Sequence, residues 1–163
     1  MFDAYLNITG IPGESTSTGF EEQIEILSYN HSISQPTSAV KSSSGGATTG
    51  RCEHGDFSIT KEVDKASPLL AQKCSDGTHI DDVTLTLCRA GGGDKKVPFM
   101  EYKMTEVVVA NVAPAGRKDD LPLETISFNY GKIDWTYTQQ KRKDGGGGGK
   151  TTGSWNLKTN AAK

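Results

Sequence analysis

The chain has 163 residues, of which 34% are hydrophobic and 23% charged, with 18 Lys/Arg against 20 Asp/Glu for a net charge of −2. That length suits a single domain able to bury a sizeable core without disulfide help, and the charge excludes nucleic acid as the main partner, because phosphate binding needs a positive footprint. Cys52, Cys74 and Cys88 are odd in number and lack C-x-x-C spacing, so the sequence suggests neither a disulfide framework nor a zinc site and points to synthesis in a reducing cytoplasm.

Phe2 to Thr9 alternates Phe2, Ala4, Leu6 and Ile8 against Asp3, Asn7 and Thr9, which predicts a first strand with Tyr5 as a misfit on its polar side. Met1, Asp3 and Asn7 do not give the basic-then-apolar order of a signal peptide, and no apolar run approaches the ~20 residues of a membrane span. If the protein leaves the cell, something other than a cleaved signal peptide is therefore expected to export it, and no membrane insertion is expected. Gly10, Pro12 and Gly13 end the strand in a polar turn region.

A second strand is predicted from about Glu22, with Ile24 and Ile26 on one face. The phase then shifts to place Leu27, Tyr29 and Ile33 on the other, leaving Ser28, Asn30, Ser32 and Ser34 as a polar row. Residues 37–51, with the run KSSSGGATTGR, form a low-complexity loop too poor in apolar residues to order itself.

Asp56 to Val63 alternates Phe57, Ile59 and Val63 as another strand. A short helix follows, with Ser67 as N-cap, Pro68 at the first helical position and Gly77 in the left-handed C-terminal position. Val83, Leu85 and Leu87 mark the next strand, and Met100, Tyr102 and Met104 begin one that continues through Glu106 to Val112. The organising stretch is Leu121 to Thr138, LPLETISFNYGKIDWTYT, where Ile126, Phe128 and Tyr130 give way to Ile133, Trp135 and Tyr137. The phase slips by one residue at Gly131 and Lys132, which predicts a bulge within one long bent strand rather than a Tyr-Gly hairpin. Residues 141–153 form a basic, glycine-rich connection, and Ser154 to Thr159 a last strand through Trp155 and Leu157. The expected fold is mainly β: a single domain, 1–163, built as an antiparallel barrel of seven or eight strands with one short flanking α-helix.

Little in the chain invites chemistry. Cys52, Glu53 and His54 place a thiol and an imidazole two apart, but beside a low-complexity loop and without a second ligand pair, so an exposed polar patch is expected. His79 with Asp81 and Asp82 reads as a charged lead-in to a strand, and His31 as a half-buried structural histidine. No carboxylate pair shares a rigid element. Gly91 to Gly93 and Gly145 to Gly149 are not followed by the helix a phosphate loop requires. No catalysis, cofactor or metal is expected.

The charge is uneven along the chain. Residues 1–131 carry 11 Lys/Arg and 18 Asp/Glu, net −7, whereas residues 132–163 carry 7 and 2, net +5. A solvated basic end is one reading and head-to-tail association of copies the other.

The segments FEEQIEILSYNHSISQP, DFSITKEVDKASPLL, VTLTLCRAGG, LPLETISFNYGKIDWTYT and GSWNLKTN, in this order, resemble the haemolysin-coregulated protein (Hcp) family of type VI secretion systems, from Tyr5 to Asn160. His31-Ser32 departs from the aromatic-glycine pair usual on that strand, and the pentaglycine is longer than usual. The resemblance implies hexameric rings stacked as the inner tube of a contractile injection machine. That machine contains sheath and spike proteins, and its tube subunits are themselves exported and in some members carry effector proteins in the ring. Some members bear a fused toxin domain, for which the few residues after the final strand leave no room. The loop Val40, Lys41, Ser42, Ser43, Ser44, Gly45, Gly46, Ala47 and Thr48 is the candidate for reaching an adjacent ring, and Ser28, Asn30 and Ser32 for facing the lumen and its cargo. The competing classes are a monomeric ligand-binding β-barrel, which would need an apolar interior cavity, and a secreted effector enzyme, which would need an active site.

Overall fold

The structure, a computed structural model, describes residues 1–39, 50–90, 96–141 and 147–163. In chain order the elements are β1 (Asp3–Ile8), β2 (Ile24–Ile26), β3 (Ser28–Asn30), β4 (Ile33–Ser34), β5 (Glu53–His54), β6 (Phe57–Glu62), α1 (Ser67–Asp76), β7 (Ile80–Ala90), β8 (Lys96–Ala115), β9 (Leu123–Gln140) and β10 (Gly147–Asn156). The main sheet is antiparallel, in the order β2-β1-β7-β8-β9-β6-β3, with β10 added on β9 and β4-β5 forming a separate two-stranded ribbon. Among the described residues it is a nearly closed barrel with one helix, as the alternation predicts.

The segment expected as one strand from Glu22 is two strands. β2 pairs with β1, and β3 pairs with β6 at the other end of the sheet order. Leu27 stands between them and donates its N–H to the Thr60 carbonyl at 2.9 Å. The change of phase after Ile26 is thus where the chain steps from one end of the sheet to the other and draws the barrel together. Tyr5 does not stay outside as its position in the alternation implies. Phe20 stacks on it at 4.5 Å, Ser17 Oγ lies 3.0 Å from its hydroxyl, and Lys96 donates a hydrogen bond to that hydroxyl while an ion pair of 2.9 Å ties the lysine to Asp3.

The interior is filled. Phe57, Phe128, Leu6, Ile24, Ile59, Leu85, Met104, Ile126 and Ile133 are wholly buried, and α1 adds Leu70 to the same cluster. Each such side chain stabilises the fold by roughly 1.5–3 kcal/mol relative to exposure. At the start of α1, Ser67 is the first helical residue rather than the cap, which is Ala66. Its hydroxyl is engaged otherwise, accepting the Asp64 N–H at 3.0 Å and donating to Glu124 Oε1 at 2.6 Å. Gly77 does close the helix, with φ of 67° and its N–H on the Lys73 carbonyl.

That serine belongs to a buried ionic cluster. Lys61, fully buried on β6, lies 2.6 Å from both Asp64 and Glu124 and also donates to Ser67 Oγ and the Glu62 carbonyl. Both carboxylates and both other acceptors satisfy the ammonium, as a charge removed from water requires. The cluster bolts the helix start to β6 and β9.

β9 runs unbroken through Tyr130 and Gly131, so there is no hairpin, but the expected bulge at Gly131 is absent too. Pairing with β8 passes from Thr105–Lys132 to Val107–Tyr130 without a shift. Instead both strands change face together: Met104 and Ile133 are buried on one side of the join, Val107 and Tyr130 on the other. Glu106 makes the turn with φ of 54°. The register shift lies on β8, between Val109 and Asn111. At the same join β9 changes partners, from β6 up to Phe128 to β10 from Lys132. β10 itself begins at Gly147, so much of the expected 141–153 connection, residues 147–153, is strand; residues 142–146 lie outside the described residues.

Candidate functional site: a polar sheet face between two open edges

Two rows of short side chains cross the outer face of the β3-β6-β9-β8 part of the sheet. One joins Ser28, Thr60, Thr125 and Ala113; the next joins Asn30, Ser58, Ser127 and Asn111. Alternation places Tyr29, Ile59 and Ile126 on the opposite, inward face, which is why these positions carry hydroxyls and amides. Ser58 and Ser127 bond across strands at 2.8 Å, and Thr60 and Thr125 approach to 3.5 Å. Ser28, Asn30, Thr125 and Asn111 are exposed. Neither row contains a charge, and no residue in them could act as a base for a neighbouring hydroxyl, so what they offer is hydrogen bonding without strong attraction.

Ser28 and Asn30 thus stand in water, as expected from the sequence. Ser32 is also exposed but lies beyond β3, where its carbonyl accepts the Gly55 N–H at 2.9 Å, and it is not part of the ladder. The partners on β6, β9 and β8 were not singled out from the sequence. The alternating Ser, Thr and Asn within those strands was the available signal, but only the register aligns them. The loop residues Val40 to Thr48 lie outside the described residues.

This face is bounded by two edges. Among the described residues β3 pairs only with β6, and the β7 ladder on β8 ends at Val107, leaving Val108 to Ala115 with β9 as their sole strand partner. Open edges present unpaired backbone groups to a further strand.

A second cluster lies where β4-β5 joins the barrel. The Tyr130 hydroxyl lies 2.7 Å from both His31 Nε2 and His54 Nδ1. His54 is therefore half-buried with a specific partner, not part of the exposed polar patch expected for Cys52 to His54. His31 is half-buried and structural as expected, 5.1 Å from the Phe57 ring. Burial holds both imidazoles below the usual histidine range, with the neighbouring His54 adding to the effect at His31. Burial likewise raises the Tyr130 hydroxyl, helped by Cys52 and Asp56. A buried tyrosine hydroxyl needs a partner, but nothing in the spacing of His31, His54 and Tyr130 announces that they meet. Among the described residues no group of three or more His, Cys, Asp or Glu is placed to hold a metal ion, and no helix is long and apolar enough to cross a membrane.

Residues 5–137 match the family described as "Type VI secretion system effector, Hcp". The chain is 31% identical over 159 residues to "Protein hcp1" of Pseudomonas aeruginosa, covering 97% of this chain and 96% of that protein. It is 25% identical over 155 residues to the "Major exported protein" of the same organism, covering 82% and 88%. Among solved structures, "Structure of a type six secretion system protein" superposes with a TM-score of 0.92 at 31% identity over 100% of both chains. Hcp1 from Salmonella typhimurium superposes with a TM-score of 0.79 at 26% identity over 99% of both.

Proposed function

We propose, since the chain belongs to the Hcp family of type VI secretion system proteins, that it is a tube subunit which closes into hexameric rings, stacks them, is exported with the tube without a cleaved signal peptide, and carries effector proteins in the ring lumen. The observation that carries the ring is the pair of open edges, on β3 and on Val108 to Ala115 of β8, at opposite sides of one four-stranded polar face. Joining one edge to the other in the next copy is a heterologous contact, and such contacts close into rings or continue as filaments. In a ring built this way the Ser28 and Asn30 rows of successive copies form one continuous inner wall. The number six comes with the family likeness; the edges support a ring without setting its count.

A wall of short uncharged groups suits passage of a polypeptide, because it wets readily and holds no fixed charge to trap one. Stacking through the loop Val40 to Thr48, and contact of the stacked tube with sheath and spike proteins, belong to the same proposal and rest on the family likeness. The filled interior, with Phe57 and Phe128 wholly buried, speaks against a barrel that encloses a ligand.

Disulfide trapping tests the edges. Within one copy β3 and β8 are three strand spacings apart, about 14 Å, too far for a disulfide. In a protein whose three native cysteines are serine, Asn30→Cys is paired in turn with a cysteine at each position from Val108 to Ala115. At least one pair should give an oxidised ladder ending in a closed species. Monomer from every pair, in a preparation that forms rings by microscopy, rejects the edge-to-edge arrangement.

A further inference from the structure

We propose that His31, His54 and Tyr130 form an acid-released clasp that holds the β4-β5 ribbon against the barrel at neutral pH and lets it go as the histidines take up protons. The ribbon is slight: two strands of two residues, Ile33–Ser34 and Glu53–His54, joined by the pairs Ile33–His54 and Ser34–Glu53. Among the described residues its further ties include the Gly55 N–H on the Ser32 carbonyl at 2.9 Å and Gln35 Nε2 on the Gly50 carbonyl at 2.7 Å, both within the ribbon region. To β9 the two imidazoles reach across, each with a hydrogen bond of 2.7 Å to Tyr130.

The proton count makes the clasp conditional. A phenol has one hydrogen to donate and lone pairs to accept with. With both imidazoles neutral, one ring accepts the Tyr130 hydrogen and the other donates its N–H to the phenol oxygen, so every group is satisfied. When the accepting ring takes a proton it can only donate. The Tyr130 oxygen then receives two N–H groups, its own hydrogen is displaced, and two rings with centroids 6.4 Å apart face each other with added charge.

Burial opposes that charge at both rings, and at His31 it outweighs the backbone hydrogen bond with Gly55, which favours it. Phe57 lies against His31, and Trp135 against His54 with ring centroids 6.4 Å apart. The other titratable groups facing the hydroxyl are Cys52, next to the ribbon, and Asp56 at the start of β6. Asp56 Oδ1 is already occupied by Asn129 Nδ2 at 3.1 Å.

The sign follows by linkage. Both histidines lie below their ordinary value when clasped, so the released state binds protons more readily, and the clasp is at full strength above about pH 6.5 and weakens as pH falls below it. The proposal concerns the single chain and does not depend on ring formation.

Amide hydrogen exchange on the protomer, corrected for intrinsic rates, tests it between pH 8 and pH 5. Protection of Ile33, Ser34, Glu53 and His54 should fall at least tenfold as His31 and His54 titrate, while β7 and β9 amides stay protected. Tyr130→Phe should leave the ribbon unprotected at every pH, and His31→Gln with His54→Gln, which keeps polar side chains at both positions but removes their titration, should remove the pH dependence. Constant ribbon protection across the range, or unaltered pH dependence in the double glutamine variant, overturns the clasp.

Discussion

Glu106 on β8 stands opposite Gly131 on β9 with φ of 54°, and a Cβ at residue 131 would lie 2.8 Å from the glutamate Oε2 and 3.3 Å from its Cβ. The absent side chain on one strand is what gives room to the left-handed residue on the other, and the two together let both strands turn their faces without losing register.

Gly131→Ala should therefore destabilise the protein by about 1–3 kcal/mol, the usual cost of overpacking. The Glu106 carboxylate also pairs with Lys158 at 2.5 Å, but on the surface, where such a pair is worth little. Glu106→Gly, which relieves the left-handed strain, should accordingly stay within about 1 kcal/mol of the parent. Urea unfolding of the two variants distinguishes them; equal losses would remove the steric account of this join.

Removing Lys61 leaves the buried Glu124 and the partly buried Asp64 without their counter-ion, so Lys61→Ala should cost about 3–5 kcal/mol. Lys61→Met combined with Glu124→Gln should recover part of this loss by removing charge from both sides. Thermal or chemical melts read the difference, and a Lys61→Ala protein as stable as the parent would show that the cluster contributes nothing to holding α1 in place.

Cys88 is wholly buried on β7, and burial pushes its thiol up to about 11. At pH 8 a thiol reagent should modify the half-buried Cys52 and Cys74 in the native protein and reach Cys88 only on unfolding. Two fast equivalents followed by one that tracks denaturation is the expected count; three fast equivalents would mean that β7 opens readily.

Asn30→Arg places a large charge on the uncharged face without disturbing the core beneath it. Rings should form as before, and co-purification of effector proteins should drop several-fold. Unchanged cargo recovery with intact rings would take Asn30 out of the lumen.

The sequence made the barrel legible because alternation survives wherever one face is buried: Ile126, Phe128 and Ile133 named the core side of β9 correctly. It misled where a partner changes. The slip after Ile26 marks a passage between sheet ends, and the slip at Gly131 is shared by β8, so each imitates a single-strand irregularity when read along one strand alone. Tyr5 was misplaced because its cover, Phe20 and Ser17, comes from a loop with no periodicity. At the candidate site, Ser28 and Asn30 could be found by alternation, but their extension through Thr60, Ser58, Thr125 and Ser127 depends on cross-strand register. The meeting of His31 and His54 on Tyr130 joins residues up to 99 positions apart, and local pattern has no term for it.

The central claim is that copies of this chain join through heterologous contacts into a closed ring, and light scattering on the size-exclusion peak, with negative-stain images of the same fraction, measures it most directly. The account predicts rings with an open centre and a mass about six times the 17.4 kDa of one chain, with end-to-end stacks at higher concentration. A single species of 17.4 kDa at every concentration, with no rings in the images, would contradict it.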